Sequence, residues 1–387
     1  MNKIIKVTFA LAAITLLSAC SAPSNLSVTG SKHFTEEQSK YLKSENIADT
    51  TPYNGNMSLS APSPTILKWG GNSLNGYKVN LYKDEALENL AFSYSTKKNS
   101  LEFYNEELLT TYYWNVTSGN KVSKTYSFKN TIDVAGPRNL NIDGVENFRD
   151  IGGWGKLTDS GYQRYMKQGM VYRSGRFNED KADEVNITIS DAGLKEVRNN
   201  LKIKTEIDFR RTSNNEIGSL TSSALGDGVN YYNLPMLYEG KNLLTFTGKS
   251  GKDTYNYDNP AMIKRFFEIL SDENNYPVNF HCSIGKDRTG CLAFLLEGLL
   301  GFDQDVMNRD YMFTNFANAG MCKLQDDIYS SGRYGYTLEN YENGETINDK
   351  IYNYLKDEIG VEEEKLDNII STNLNLFYCI SFGSQNL

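Results

Sequence analysis

The stretch from Val278 to Leu300 constrains this chain more than any other. Val278-Asn279-Phe280 leads in and reads as the end of a buried strand. Leu292, Ala293, Phe294, Leu295, Leu296, Leu299 and Leu300 lead out, with no proline or β-branched residue after Cys291, and predict a buried helix. Between strand and helix, Cys282 and Arg288 bracket the five residues Ser283-Ile284-Gly285-Lys286-Asp287. A loop this short must close onto the helix N-terminus. Backbone N–H groups there lack intrahelical acceptors, and the helix dipole adds partial positive charge. Such a loop holds a doubly charged oxyanion. A thiol placed in that field is favoured as the thiolate, which makes Cys282 a candidate nucleophile. Arg288 offers a planar fork that matches two phosphoryl oxygens.

Cys-x5-Arg is the signature spacing of the cysteine-dependent protein tyrosine phosphatase superfamily. The fuller run His281-Cys282-x-x-Gly285-Lys286-Asp287-Arg288-Thr289-Gly290 resembles a bacterial subgroup of tyrosine and dual-specificity phosphatases. Some of that subgroup are lipoproteins and some also act on phosphoinositides. Three further segments are similar to the same subgroup: Asn147-Phe148-Arg149-Asp150-Ile151-Gly152-Gly153, Tyr172-Arg173-Ser174 and Ile207-Asp208-Phe209-Arg210. Asp310-Tyr311 resembles a packing element that the family carries after its signature helix.

The resemblance implies an α/β tyrosine phosphatase-like domain, with a central, mostly parallel sheet flanked by helices. It implies a two-step displacement through a thiophosphate on Cys282, with no metal and no other cofactor. Ser283, Ile284, Gly285, Lys286 and Gly290 would line the phosphate cradle with Arg288. Thr289 would donate to the sulfur, and His281 would orient the loop. A general acid must protonate the leaving oxygen. Tyrosine phosphatases usually place it in a Trp-Pro-Asp loop, yet this chain has no such tripeptide, and Trp154 is followed by Gly155. Asp287 is the first candidate acid, because the resemblance carries a carboxylic acid there. It could instead stiffen the loop by pairing with an N–H or with Lys286. Asp208 is the second candidate, or an orienting carboxylate for Arg288. Lys286, a second cation, favours substrates with more than one phosphate, or else forms a salt bridge to Asp287 or Asp208. Arg149 and Asp150 read as an internal ion pair that supports the site, with contact between Arg149 and substrate phosphate as the alternative.

The alternation of strands and helices around these motifs is that of a parallel-type sheet. Pro260 to Leu270 predicts an amphipathic helix, Ser190-Asp191 offers a helix N-cap, and Val306–Phe316 and Glu362–Leu374 read as helices. Residues 238–260 read as a mobile cover and 327–348 as an exposed insert. Before all this, residues 57–136 show short alternating strands at Ile66–Trp69, Tyr77–Tyr82, Tyr112–Val116 and Tyr126–Phe128. That spacing suggests a small all-β sandwich, and the Leu-x-Trp, Tyr-x-Val-x-Leu and Tyr-Tyr-Trp-Asn-Val runs are similar to fibronectin type III domains. Its role is that of a spacer or of a recognition module. The catalytic domain is expected over 137–387.

At the start, Lys3 and Lys6 precede an apolar run from Val7 to Leu17, the pattern of a bacterial signal peptide over residues 1–19. Leu17-Ser18-Ala19-Cys20 resembles a lipobox, which implies that Cys20 becomes a lipidated N-terminus. The expectation is an extracytoplasmic protein tied by lipid to the bacterial cell envelope. Residues 20–56 are polar and read as a tether, with His33 solvated. Cys291 reads as a buried hydrophobe, and Cys322 and Cys379 as a pair that could be bridged.

The formal net charge of −8 over 387 residues argues against a nucleic-acid partner. Gly285-Lys286 is followed by Asp287, which rules out a Walker-type nucleotide loop. The expected function is phosphomonoester hydrolysis, most simply on phosphotyrosine with dual-specificity or phosphoinositide tolerance. The expected partners are a phosphorylated protein or a phosphoinositide or inositol phosphate. The alternatives are an inositol phosphate phosphatase of phytase-like kind, or a surface lipoprotein that binds phospho-ligands without turnover.

Overall fold

A computed structural model describes residues 22–48, 60–158, 161–178, 189–211, 216, 221–238, 242–249, 255–317 and 322–374. The apolar leader, Cys20 and Cys379 lie outside these residues. Among the described residues no helix is long and apolar enough to cross a membrane.

Eight strands form the first unit: β1 (Ser24–Thr29), β2 (Thr65–Gly70), β3 (Tyr77–Tyr82), β4 (Leu90–Thr96), β5 (Ser100–Phe103), β6 (Thr111–Ser118), β7 (Lys121–Val122) and β8 (Tyr126–Lys129). They make two antiparallel sheets, β1-β2-β5 and β4-β3-β6-β7, with β8 also paired to β6. Strand side chains alternate between faces. Leu67 and Trp69 of one sheet therefore meet Val79, Leu81, Tyr112, Trp114 and Val116 of the other in a single core. Two antiparallel sheets on one core suit an all-β sandwich, and the first strand lies earlier in the chain than the expected 57–136.

The expected tether is the main correction. Ser24–Thr29 pairs with β2 as an edge strand of the sandwich. Helix α1 (Glu36–Lys43) follows, closed by a reciprocal capping box between Thr35 and Gln38. Its Tyr41 packs on Phe313 and Phe316 of the second unit, and Arg309 donates to the carbonyls of Tyr41 and Ser44. The polar composition of this segment conceals a strand and a one-faced helix, each needing few apolar residues because a partner surface already exists. His33, expected in solvent, is fully buried between them. Both its ring nitrogens lack a partner among the described residues.

The second unit is built on a six-stranded sheet of order β15-β14-β18-β13-β10-β9. Its strands are β9 (Arg138–Asn139), β10 (Arg149–Asp150), β13 (Val171–Ser174), β14 (Thr205–Asp208), β15 (Asn230–Asn233) and β18 (Val278–His281). Two small hairpins, β11 (Gly155–Thr158) with β12 (Gly161–Arg164) and β16 (Thr247–Gly248) with β17 (Tyr257–Asp258), stand apart from it. The four strands β13, β18, β14 and β15 run parallel, and β10 runs antiparallel to its two neighbours β13 and β9. Helices α2 (Asp191–Lys195), α3 (Asn259–Leu270), α4 (Asp287–Leu299), α5 (Gln304–Phe313), α6 (Tyr334–Glu339), α7 (Ile347–Asp357) and α8 (Glu363–Asn373) complete it. Ser190 caps α2 as expected. Residues 327–348 are less exposed than expected, because Tyr334 and Leu338 of α6 join the main core.

Val171, Ile207, Val278 and Phe280 share that core. The alternate positions Glu206, Asp208, Asn279 and His281 are polar and fully buried. One face of the parallel strands is thus apolar, and the other carries a buried polar array. The register sets Ser174 and Asp208 beside His281, so three strand ends open side by side at the carboxyl edge where α/β sheets bind ligands.

Arg149 and Asp150 do not pair with each other. Neighbours along a strand point to opposite faces, so Asp150 meets Arg138 at 2.7 Å and Arg149 meets Asp310 at 2.8 Å. Arg138 also donates to the Asn105 carbonyl across the junction between units. Tyr94 and Asn105 of the sandwich both donate to Glu196 of the second unit.

Burial, with help from the Arg138 charge, lowers the His33 imidazole to about 3 from its ordinary value near 6.5. Below pH 6.5 the unfolded chain takes up a proton that the folded one refuses until about pH 3, so stability falls through that window. The thermal midpoint of the native chain should drop more steeply between pH 6.5 and 3.5 than that of His33→Leu. Parallel curves would assign the acid loss elsewhere.

Candidate active site

The loop between β18 and α4 is shaped by what surrounds its carbonyls. The Ser283 carbonyl accepts from Arg176 N at 3.1 Å, the Ile284 carbonyl from Asn147 Nδ2 at 3.1 Å, and the Gly285 carbonyl from Arg173 Nη2 at 2.8 Å. His281 Nδ1 lies 3.2 Å from the Cys282 carbonyl oxygen. In a trans peptide the N–H points opposite the C=O, so the N–H groups that follow face the loop interior. Among the described residues, no acceptor takes the backbone N–H of Ser283 through Arg288. Inward donors of this kind have the geometry of an anion-binding nest. Gly285 has φ +74°, and a Cβ there would stand 2.5 Å from the Ser174 carbonyl oxygen. Only glycine fits that position.

A closed set of buried side chains fixes this arrangement. Asn147 reaches the Ile284 carbonyl and accepts from Arg149. Arg149 donates to Asp310 through Nε and Nη2 and to Thr314. Asp310 accepts from Arg173, which holds the Gly285 carbonyl. Arg149 therefore supports the loop from behind. Its donors are spent on Asp310, Asn147 and Thr314, which corrects its candidacy as a phosphate ligand. Burial works to raise the Asp310 carboxyl, but Arg149 and Arg173 hold it well below the usual carboxylate range.

Arg288 is buried, and its fork is held by Glu216 at 2.8 Å on both nitrogens. It also donates to the Phe209 carbonyl at 3.1 Å and lies 4.7 Å from the centre of the Tyr238 ring. Burial alone would lower the guanidinium, but the Glu216 charge outweighs it and keeps the cation firm. Arg288 Nε, buried and without a partner among the described residues, is a donor available to a ligand. Glu216 is the functional residue that sequence reading missed. It lies in a stretch with no periodicity and no motif, and only the tertiary approach of that stretch reveals it.

Asp208 does not orient Arg288. It is buried against Arg210, which reaches it through Nε and Nη2, and it also accepts from Arg210 N and Tyr231 OH. Burial pushes its carboxyl up, but Arg210 and then His281 bring it down to about 2. A carboxylate so held is ionised at neutral pH and has no proton to deliver, which removes it as the acid. His281 Nε2 lies 3.0 Å from Glu206 Oε1, which fixes the ring beside the loop. Glu206, Asp208 and His281 are close enough to share a cation, but Glu206 already accepts from Ser223 and Asp208 from Arg210. The donor set reads as a hydrogen-bonded network.

Asp287 opens α4 with its side chain half-buried. Burial raises its carboxyl, against the opposing pull of Lys286. It faces a small cleft with Tyr238, Leu243, Tyr311 and Arg333. Lys286 lies 3.2 Å from Asp327 and 3.9 Å from Asp287. Its salt bridge is thus divided between an expected partner and one from the distant 327–348 segment, and Asp208 takes no part. Thr289 Oγ1 is buried with no partner among the described residues. Gly290 lets the Tyr311 ring pack close, since a Cβ would stand 2.9 Å from it. Cys291 and Cys322 are free buried thiols, and the Asn315 side chain bonds both the N–H and the carbonyl of Cys322.

A cysteine and an arginine on a cradle of inward N–H groups, at the carboxyl edge of a mostly parallel sheet, define a class. Residues 140–374 match the tyrosine phosphatase family, and the chain belongs to it. It is 28% identical over 205 residues to a Cupriavidus necator protein named "Putative tyrosine-protein phosphatase", covering 48% of this chain and 66% of that one. The chain thus spans just under two thirds of that relative. Among solved structures it is similar to the core catalytic domain of the PP-IP phosphatase SIW14 from S. cerevisiae, at 17% identity and a TM-score of 0.28 over 51% of this chain and 88% of that one. For P. aeruginosa TpbA the values are 15%, 0.19, 40% and 91%.

Glu216→Gln keeps the shape of the Arg288 clamp and removes its charge. A charge-assisted hydrogen bond contributes ~1.5–3 kcal/mol, so kcat/KM on an aryl phosphate should fall on the order of 10- to 100-fold, and the thermal midpoint should drop as well because Arg288 is left buried without its counter-charge. An unchanged kcat/KM would show that Glu216 does not set the fork.

Proposed function

We propose that the chain is a phosphomonoester hydrolase that works through a thiophosphate on Cys282. The observation that carries this reading is the ring of inward N–H groups between Cys282 and Arg288, with the loop carbonyls tied back by Arg173, Arg176 and Asn147. Cys282 attacks phosphorus in line. The N–H groups and Arg288 hold the equatorial oxygens, whose charge persists through the displacement. Asp287, whose carboxyl is raised by burial, gives its proton to the leaving oxygen. The resulting carboxylate then takes a proton from the water that attacks the thiophosphate, and the Cys282 thiolate leaves. The unpartnered Thr289 hydroxyl donates to that sulfur. Intact Cys282 and Arg288 support turnover over mere holding of phospho-ligands.

Tyr238, half-buried with its ring 4.7 Å from the Arg288 guanidinium, can flank a phenyl phosphate. The cation Lys286 is already neutralised by Asp327, which weakens the case for a second substrate phosphate there. Phosphotyrosine in a protein is therefore the preferred substrate class, with phosphoinositides or inositol phosphates second. The signal-peptide and lipobox pattern supports lipidation at Cys20 and action outside the cytoplasm, and the sandwich, with its likeness to fibronectin type III strands, serves as the spacer.

Cys282→Ser should abolish phosphate release from an aryl phosphate, and vanadate should inhibit the native chain. Activity that survives Cys282→Ser overturns the mechanism. Asp287→Asn should lose about 100-fold or more on an alkyl phosphate and far less on a nitrophenyl phosphate, as general acid catalysis contributes roughly 10²–10⁴. Equal losses on both would remove Asp287 as the acid. A panel of phosphotyrosine, phosphoserine and phosphothreonine peptides, phosphoinositides and soluble inositol phosphates ranks the substrate classes.

A further inference from the structure

The two ends of the sandwich differ. At one end, Asn105, Leu108 and Arg138 join the sandwich to the catalytic unit. The pairing register places three turns at the opposite end. Ser24 of β1 lies against Gly70 at the end of β2. Tyr77 at the start of β3 lies against Thr96 at the end of β4. Lys78 lies against Thr117, which in turn pairs with Val122. The turns 71–76, 97–99 and 119–125 therefore gather at this far end, and Asn75, Lys97 and Gly119 line one shallow groove there.

Their composition is unlike that of the rest of the chain. The protein carries a formal charge of −8, yet these turns hold no Asp or Glu and include the exposed Lys97, Lys98 and Lys124. Lys78 adds a further exposed cation at the edge of the groove. Leu74 stands 80% exposed at the tip of its turn, and Val122 54% exposed nearby. Leu74 packs into neither hydrophobic cluster of the sandwich or the catalytic unit. The chain also enters here, since β1 begins at Ser24. The segment preceding it carries the apolar run Val7–Leu17 and Cys20.

We propose that this end of the sandwich seats on an anionic bilayer surface, with the lysines against lipid headgroups and Leu74 at the acyl boundary. Lysines gain from a negative surface potential within a Debye length of it. An exposed aliphatic side chain gains by leaving water for the interface. A folded anionic protein would offer charge to the lysines but no acyl layer to Leu74. The turn lies where the chain arrives from its apolar leader, which places a bilayer within reach. The inference takes the nearness of a bilayer from the lipid-anchor reading, and it does not depend on the phosphatase chemistry.

The test uses a chain beginning at Ala22, which keeps every described strand and helix and lacks Cys20. It is sedimented with vesicles of phosphatidylglycerol mixed with phosphatidylcholine, and with phosphatidylcholine alone. Binding to the anionic vesicles alone is expected, falling as salt is raised. Leu74→Ser should weaken it several-fold, and the double variant Lys97→Glu/Lys98→Glu on the order of tenfold or more. Both variants should keep the native far-UV spectrum and turn over a soluble aryl phosphate as the native chain does. The proposal is overturned by absent binding, by equal binding to both vesicles, or by binding that the variants leave intact. A dimer without vesicles that Leu74→Ser converts to monomer would also overturn it, assigning the surface to a second copy of the chain.

Discussion

Two peptide carbonyls, those of Ile284 and Gly285, must point away from the phosphate site for the loop to work at all. Asn147 and Arg173 hold them there. Both residues are held in turn by the Arg149–Asp310 pair. The site's affinity for an anion thus depends on a buried carboxylate behind it. Desolvating two arginines and an aspartate is expensive, and such a group adds little to net stability. What it supplies is a loop that needs no rearrangement when charge arrives, the condition under which fixed dipoles stabilise a transition state best.

The cations of the site are handled in different ways. Arg288 is shared between Glu216 and the Phe209 carbonyl, Arg210 is matched by Asp208, and Lys286 is divided between Asp287 and Asp327. Arg288 retains a buried N–H at Nε without a partner among the described residues. Its neighbour Asp287 is the one acid here that burial raises without a committed buried arginine to reverse it. The proposed nucleophile Cys282, clamp Arg288 and acid Asp287 therefore lie within one short loop, with the distant Glu216 on the Arg288 fork.

The strand, loop and helix around Cys282 were legible because all three are local. An apolar run, a glycine needing a left-handed backbone and a second apolar run lie consecutively in the chain. The sandwich strands were legible for the same reason, through strict alternation about Trp69, Val79 and Trp114. Glu216 was hidden because its partner is 72 residues away and nothing local marks it. Asp327 was hidden likewise. The exchange of partners between Arg149 and Asp150 follows from strand geometry, yet two adjacent opposite charges suggest a pair to anyone reading along the chain. His33 and the first strand were obscured by composition, because an edge strand and a docked helix borrow their core from elements that come later.

The path of the first described residues has a mechanical consequence. β1 is hydrogen-bonded to the sandwich, and α1, a few residues on, is packed on the catalytic unit. The chain therefore crosses the junction near His33, returns between α1 and β2, and crosses again near Arg138. A pull applied at Ser24 and resisted by the catalytic unit runs along the axis of β1 and loads its ladder with β2 in parallel. Bonds loaded in this way share the force, whereas a strand peeled from its end gives them up one at a time. Tension arriving from the N-terminal side would accordingly be borne by the β1–β2 ladder and the α1 contact before it reached the loop at Cys282.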